Sequence, residues 1–134
     1  MGTLAPLDVV NEFSRRAATV EDVTEIEELV SDDVDWFAVG DRNVVAWAGR
    51  WVGKSGVSQF YATLRQETVN ERFDVRDVLA QGNRAVILGE LATRVKRTGK
   101  LIECEFVFEF VVENGLITCF RPFEDSEAVA KACA

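Results

Sequence analysis

The sequence predicts an α+β fold in which N-terminal helices close over a curved antiparallel sheet with an apolar, aromatic inner face. Three observations lead there. Apolar residues in the first third recur at helical spacing. After Asn70 they alternate with polar residues, in runs separated by Gly-containing turns. Within those runs the phenylalanines collect on one parity. A chain of 134 residues fits one domain, spanning 1–134, and is long enough to bury a core without disulfides or metals.

Pro6 suits a first helical turn, and Val9, Val10, Phe13 and Ala17 follow on one helical face. A second, shorter helix is expected from about Val20 to Val30, with Val23, Ile26, Leu29 and Val30 inward and Asp22, Glu25, Glu27 and Glu28 in water. A short strand follows over Val34–Val39. Gly40–Gly53 reads as a loop holding Trp47 and Trp51. Ser55 is placed to cap a third helix whose Val57, Phe60, Tyr61 and Leu64 share a face. Phe73, Val75, Asp77 and Leu79 then alternate with Asp74, Arg76, Val78 and Ala80. Gln81-Gly82-Asn83 makes a turn, Arg84–Arg97 and Leu101–Val112 make two long strands joined at Thr98-Gly99, and Leu116–Glu124 is the last strand. Asp125 or Ser126 caps a terminal helix through Ala132, with Cys133 at a frayed end.

Register decides which side chains meet. A two-residue Thr98-Gly99 turn sets Arg97 against Lys100, Arg94 against Glu103 and Gly89 against Phe108. Ile87, Gly89, Leu91, Thr93 and Val95 then share a face with Ile102, Cys104, Phe106, Phe108 and Phe110. A slip of one residue would bring Glu90 and Arg94 among the phenylalanines, and unpaired buried charge costs several kcal/mol, roughly. At Glu113-Asn114-Gly115 a two-residue turn would turn Cys119, Arg121 and Phe123 inward. A three-residue turn with a left-handed Gly115 turns Thr118, Phe120 and Pro122 inward instead. The second avoids burying Arg121 and is preferred. It also sets Cys104 and Cys119 on opposite faces, which disfavours a disulfide between them.

Composition excludes several functions. The net charge is −8, so a phosphate backbone or an anionic membrane repels the chain on average. No apolar run approaches the ~20 residues that span a bilayer. Met1–Asp8 lacks the basic-then-apolar pattern of a secretion signal, so the expected compartment is the cytoplasm. There is no histidine, and the three cysteines form no CxxC pair. That removes the usual zinc ligands and every mechanism built on a histidine base, and no metal or cofactor is expected.

Three stretches carry a family resemblance. Asp32-Asp33-Val34-Asp35-Trp36 closes the second helix and opens a strand. Ala48 to Tyr61 holds Gly49, Gly53, Gly56, Val57 and Phe60 in a G-x-x-x-G-x-x-G-V-x-x-F/Y pattern at a helix start. Glu105 to Phe110, Asn114 to Ile117, and Phe120-Arg121 to Asp125 form the final strands. With the element order, these resemble the nuclear transport factor 2-like superfamily, and within it the SnoaL-like and ketosteroid-isomerase-related proteins. The resemblance implies a cystatin-like, cone-shaped, mixed but largely antiparallel sheet wrapped around N-terminal helices. It also implies a pocket at the open end and commonly a homodimer. Ketosteroid isomerases place an aspartate base where this chain has Ala38, and a second acid near Glu105 to Phe108, where the face argument turns Glu105 outward. Limonene-epoxide-hydrolase-like enzymes use an Arg-x-Asp pair on the strand holding Glu90 to Arg94, and an Asp near Pro122. This chain has neither.

The expected pocket lining is therefore Phe13, Trp36, Ala38, Trp47, Trp51, Phe60, Leu91, Phe106, Phe108 and Phe120. The tryptophans either stack on a flat ligand or pack as core and loop anchors. Asp35, Asp41 and Glu90 are the carboxylates considered for proton transfer, and Tyr61 is a hydroxyl that can meet a carbonyl oxygen or simply pack on the sheet. The leading reading is a SnoaL-like protein that binds a small apolar or aromatic molecule, with isomerase-, cyclase- or hydrolase-type proton transfer. The alternative is a non-catalytic ligand-binding or dimerising module. Light scattering at micromolar concentration is expected to give a homodimer, formed through the outer sheet face or neighbouring loops. A monomeric mass contradicts that expectation.

Overall fold

The protein is described from a computed structural model covering residues 5–134. Residues 1–4, part of the Met1–Asp8 segment read for a secretion signal, lie outside the described residues. Helix α1 (Pro6–Thr19) starts on its proline, carries Asp8 in the first turn, and buries Val9, Val10 and Phe13. The second expected α-helix is a 3-10 helix over Val23–Leu29, with Ile26 and Leu29 inward. β-branched Val23, Thr24 and Ile26 and the like charges of Glu25, Glu27 and Glu28 favour this tighter, shorter form over α-helix.

Strand β1 (Val30–Ala38) begins earlier than expected, and β2 (Gly49–Val52) pairs antiparallel with it, Trp36 opposite Trp51. Trp51 thus sits on a strand, and the loop is confined to residues 39–48. Helix α2 (Gly53–Glu67) starts two residues before Ser55, and no side chain caps it. Lys54 anchors its first turn instead, donating to the carbonyls of Glu27 (2.9 Å) and Val30 (2.7 Å). Then come β3 (Thr68–Gln81), β4 (Arg84–Val95), β5 (Leu101–Glu113), β6 (Leu116–Phe123) and helix α3 (Ser126–Cys133). The sheet order is β2-β1-β6-β5-β4-β3, and β1 runs parallel to β6, so the sheet is mixed.

The β4–β5 faces are those expected, but the register differs by two residues. Arg94 faces Leu101, Ala92 faces Glu103, Gly89 faces Phe106 and Ile87 faces Phe108. The connection is a four-residue turn, residues 96–99, closed by Val95 N–H donating to Lys100 carbonyl (2.9 Å) and Gly99 N–H donating to Val95 carbonyl (2.8 Å). Its residues are taken up by neighbours. Lys96 N–H donates to the Glu67 carbonyl, Thr98 Oγ1 to that of Ala132 (2.5 Å), and Arg97 to that of Cys133. The first satisfies the last carbonyl of α2 and the other two those of α3, while Asp125 caps the start of α3 by accepting from Ala128 N–H at 3.0 Å. Cys133 is consequently buried rather than frayed.

At the β5–β6 hairpin the turn is the two-residue one. Asn114 (φ 53°) and Gly115 (φ 77°) both take left-handed angles, and Glu113 faces Leu116. Pairing then jumps from Val112–Ile117 to Val111–Cys119, which leaves Thr118 as a bulge. The bulge turns Phe120 and Pro122 inward, as expected, by a different device. Cys104, Cys119 and Cys133 are all free thiols.

The helices lie on the concave face. Phe13 of α1 centres an aromatic cluster, with Phe110, Trp36, Tyr61 and Phe120 at ring-centroid distances of 5.3 to 6.0 Å. Parallel pairing of β1 with β6 sets Trp36 against Phe120, stacked at 4.1 Å. Gly89 gives β4 its close approach to neighbours. A Cβ there would lie 2.1 Å from the Asp74 carbonyl oxygen and 2.9 Å from the Phe106 ring, which stacks on Phe73 at 4.7 Å. Gly89→Ala is expected to lower the unfolding free energy in a urea melt by about 1–3 kcal/mol, since backbone and ring must both move. A melt unchanged from wild type contradicts this packing.

Candidate functional site

Between the concave face of the sheet and the three α-helices lies a cavity of about 600 Å³. Small side chains on α1 and β1 leave the room: Ser14, Ala17, Ala18 and Ala38 line it beside Phe13. The loop adds Val39, Val45 and Trp47, and α2 adds Phe60, Tyr61, Leu64 and Arg65. The sheet contributes Thr68, Asn70, Phe73, Leu91, Thr93, Ile102, Phe108, Phe120 and Pro122. Phe123, Glu124, Ser126 and Val129 close the end under α3. A volume in this range suits a small organic molecule, and most of the wall is apolar.

Seven of the expected lining residues face this space: Phe13, Ala38, Trp47, Phe60, Leu91, Phe108 and Phe120. Trp36, Trp51 and Phe106 do not. Trp36 is fully buried behind Phe120, and its indole N–H has no hydrogen-bond partner among the described residues. Trp51 donates its indole N–H to the Trp47 carbonyl at 3.0 Å and carries the Arg42 guanidinium over its ring. Phe106 is turned into the space left by Gly89.

The three carboxylates considered from the sequence lie elsewhere. Asp35 points to the convex side, where it is ion-paired with Arg121 and Arg50; the Arg121 hydrogen bond above all holds its carboxyl below the usual range. Asp41 is exposed in the loop and accepts from Asn43 N–H at 2.9 Å. Glu90 sits in a cross-strand row between Asp74 and Glu105, on the face opposite Phe106. None of the three reaches the cavity. Glu105 also points outward, paired with Arg76 at 2.8 Å.

The carboxylate that does reach it is Glu124. The Thr118 bulge sets the parity of the following residues: Phe120 and Pro122 face inward, and Glu124 continues the series just past the end of β6. The same alternation read two residues further along the sequence would have found it. Glu124 has no ion-pair or hydrogen-bond partner among the described residues, and burial alone pushes its carboxyl up to about 7. Tyr61 lines the same cavity. Burial raises its phenol well above the ordinary value, so the hydroxyl remains a donor at neutral pH. Among the described residues no three Cys, Asp or Glu side chains converge to hold a metal ion, and no helix is long and apolar enough to cross a membrane.

The raised Glu124 value makes a stability prediction with a definite sign. Folding favours the protonated form, so the associated stability is complete below the unfolded value, about 4.3, and is lost as pH rises through about 7. Glu124→Gln stays neutral. Relative to wild type it is expected to gain on the order of 2 kcal/mol between about pH 4 and pH 8, read from urea melts at each pH. A pH-independent difference between the two proteins contradicts the shifted carboxyl.

The family model for the SnoaL-like domain matches residues 10–120. A nuclear transport factor 2-like protein from Burkholderia xenovorans superposes with a TM-score of 0.88 at 22% identity, covering 100% of this chain and 99% of that one. TerC, co-crystallised with polyporic acid, superposes at 0.76 with 19% identity, covering 96% and 98%. A candidate SnoaL-like polyketide cyclase from Mesorhizobium loti superposes at 0.71 with 16% identity, covering 90% and 99%. Identities this low establish the fold alone. No functionally curated protein matches the sequence. The chain belongs to the SnoaL-like domain family and has the nuclear transport factor 2-like fold.

Proposed function

We propose that this SnoaL-like protein takes a small, flat apolar or aromatic molecule into the cavity and moves a proton on it with Glu124. The observation that carries the reading is one unpaired carboxylate, with its pKa raised to about 7, in a mostly apolar wall. A group titrating there is half base and half acid near neutral pH, where general acid–base catalysis works best. The carboxylate takes a proton from carbon next to a carbonyl, and the resulting carboxylic acid returns it to a different carbon. That isomerisation balances with a single residue. In ring closure the carboxylate takes the proton from the attacking carbon and the acid form gives it to the carbonyl oxygen, as the carbon–carbon bond forms and the C=O π bond breaks. In epoxide opening the acid form protonates the ring oxygen as its C–O bond breaks, and a water molecule forms the new C–O bond and passes its proton back to the carboxylate. The co-crystallisation of TerC with polyporic acid and the polyketide-cyclase description of the Mesorhizobium protein favour a flat oxygenated ring system as the ligand class. The same reading takes residues 1–134 as one such domain, acting as a homodimer in the cytoplasm.

Three observations favour the second reading, a non-catalytic ligand-binding module. The cavity wall holds a single carboxylate, the chain has no histidine, and Ala38 stands at the position aligned with the ketosteroid isomerase base.

Hydrogen–deuterium exchange at the acidic carbon of 2-tetralone, followed by NMR, separates the two. Wild type is expected to accelerate exchange by about 10²–10⁴-fold over buffer, with a rate that rises as pH passes about 7. Glu124→Gln is expected to lose that acceleration. Saturable binding without acceleration selects the carrier reading, and no binding of the ketone overturns both.

A further inference from the structure

Helix α2 presents two polar side chains to the cavity one turn apart, and each lacks the partner its chemistry calls for. Tyr61 is 8% exposed, and its hydroxyl has no hydrogen-bond partner among the described residues. Arg65, four positions on, donates through Nη1 to the Val20 carbonyl (2.6 Å) and through Nη2 to the Ala17 carbonyl (3.0 Å). Those two bonds use part of a fork of five N–H donors. They tie α2 to the C-terminal end of α1, whose carbonyls carry the negative end of the helix dipole, and leave three N–H donors without a partner among the described residues.

No carboxylate ion-pairs with Arg65 among the described residues. On the sheet, by contrast, Arg50, Arg84, Arg94 and Arg121 are each ion-paired. Glu124 is not its counter-ion, since burial alone shifts that carboxyl. Positions i and i+4 of a helix hold their Cβ atoms about 5–6 Å apart. Both side chains line the same cavity, and the Arg65 charge acts on the Tyr61 phenol in the direction opposite to the larger effect of burial. Asn70 and Thr93, neighbours across β3 and β4, add an amide and a hydroxyl to the cavity wall. A hydroxyl donor and a guanidinium facing one apolar space are the elements of an anion site. An anionic oxygen accepts from both groups, which water cannot match in charge.

We propose that Tyr61 and Arg65 form an oxyanion site, and that the molecule this cavity takes is a flat ring system bearing an acidic oxygen. That oxygen, of a carboxylate or of a phenolate or enolate, sits between the Tyr61 hydroxyl and the Arg65 guanidinium. The proposal rests on the reading that the cavity binds a flat apolar molecule, and adds which polar group the molecule carries and where.

Fluorescence titrations with 2-naphthoate, 2-naphthol and 2-methylnaphthalene test it, because the three share one ring system and differ in a single substituent. Wild type is expected to bind 2-naphthoate or 2-naphthol about tenfold or more tightly than 2-methylnaphthalene, the range of a charge-assisted hydrogen bond. A phenolate absorption band from bound 2-naphthol at neutral pH marks the phenolate source. A preference for 2-naphthoate without that band marks the carboxylate source. Arg65→Gln is expected to abolish the preference, and Arg65→Lys to retain part of it. Should loss of the α1 contacts unfold Arg65→Gln, Tyr61→Phe, which removes one oxygen, carries the test through an expected fall in the preference of about threefold or more. Equal binding of all three probes, or a preference that survives both Arg65→Gln and Tyr61→Phe, overturns the oxyanion site and leaves the cavity reading standing. No binding of any probe overturns the two together.

Discussion

On β6, the pairing of Val112 with Ile117 gives way to that of Val111 with Cys119, and Thr118 is left over. That one unpaired residue reconciles two demands. Asn114-Gly115 is well suited to the tight two-residue turn, yet continuing that register would turn Arg121 into the apolar concave face. A guanidinium buried there without a counter-ion costs several kcal/mol, roughly. The bulge reverses the parity. Arg121 goes to the convex side and meets Asp35, while Phe120 goes inward and stacks on Trp36. The parallel β1–β6 pairing, the aromatic cluster around Phe13 and the inward aim of Glu124 all depend on it.

The cavity persists because its walls are held apart by polar ties rather than filled. Lys54 bonds α2 to the carbonyls of Glu27 and Val30, and Arg65 bonds it to the end of α1. Small residues, Ala17, Ala18 and Ala38, face the gap where larger ones would close it. The price of such a space is lost dispersion energy, which the dense packing of Phe13, Trp36, Phe110 and Phe120 below it offsets. Burial in this setting raises the Glu124 carboxyl and keeps the Tyr61 hydroxyl protonated, so the charge-bearing groups of the site are set by environment as much as by identity.

Much of this was legible in the sequence, wherever a charge forced a choice. The strand faces around Ile87, Phe106 and Phe120 follow from keeping Glu90, Arg94 and Arg121 out of the core. The exact pairing does not, because the 96–99 turn is set by bonds to Glu67, Ala132 and Cys133, which are distant in sequence. The 3-10 helix and the short β2 were missed for separate reasons. The short β2 is decided by its pairing with β1, and the 3-10 form by β-branching and like charges that a hydrophobic period does not register. Among the site residues, Phe13, Phe60 and Phe108 were identified by parity and helical face, whereas Trp36 and Phe106 satisfy the same parity but are covered by Phe120 and Phe73. Glu124 ends the expected Leu116–Glu124 strand on the inward parity of Phe120 and Pro122, and the structure sets it one residue past the last paired position.

A strand bulge delivers an unpaired carboxyl into a mostly apolar cavity, where burial raises it to about 7. The most direct measurement is the side-chain carboxyl shift of Glu124 in carbon-13-labelled protein, followed by NMR across a pH titration. The account predicts a midpoint of about 7 for that one carboxyl. A midpoint near the ordinary glutamate value, about 4.3, would contradict it.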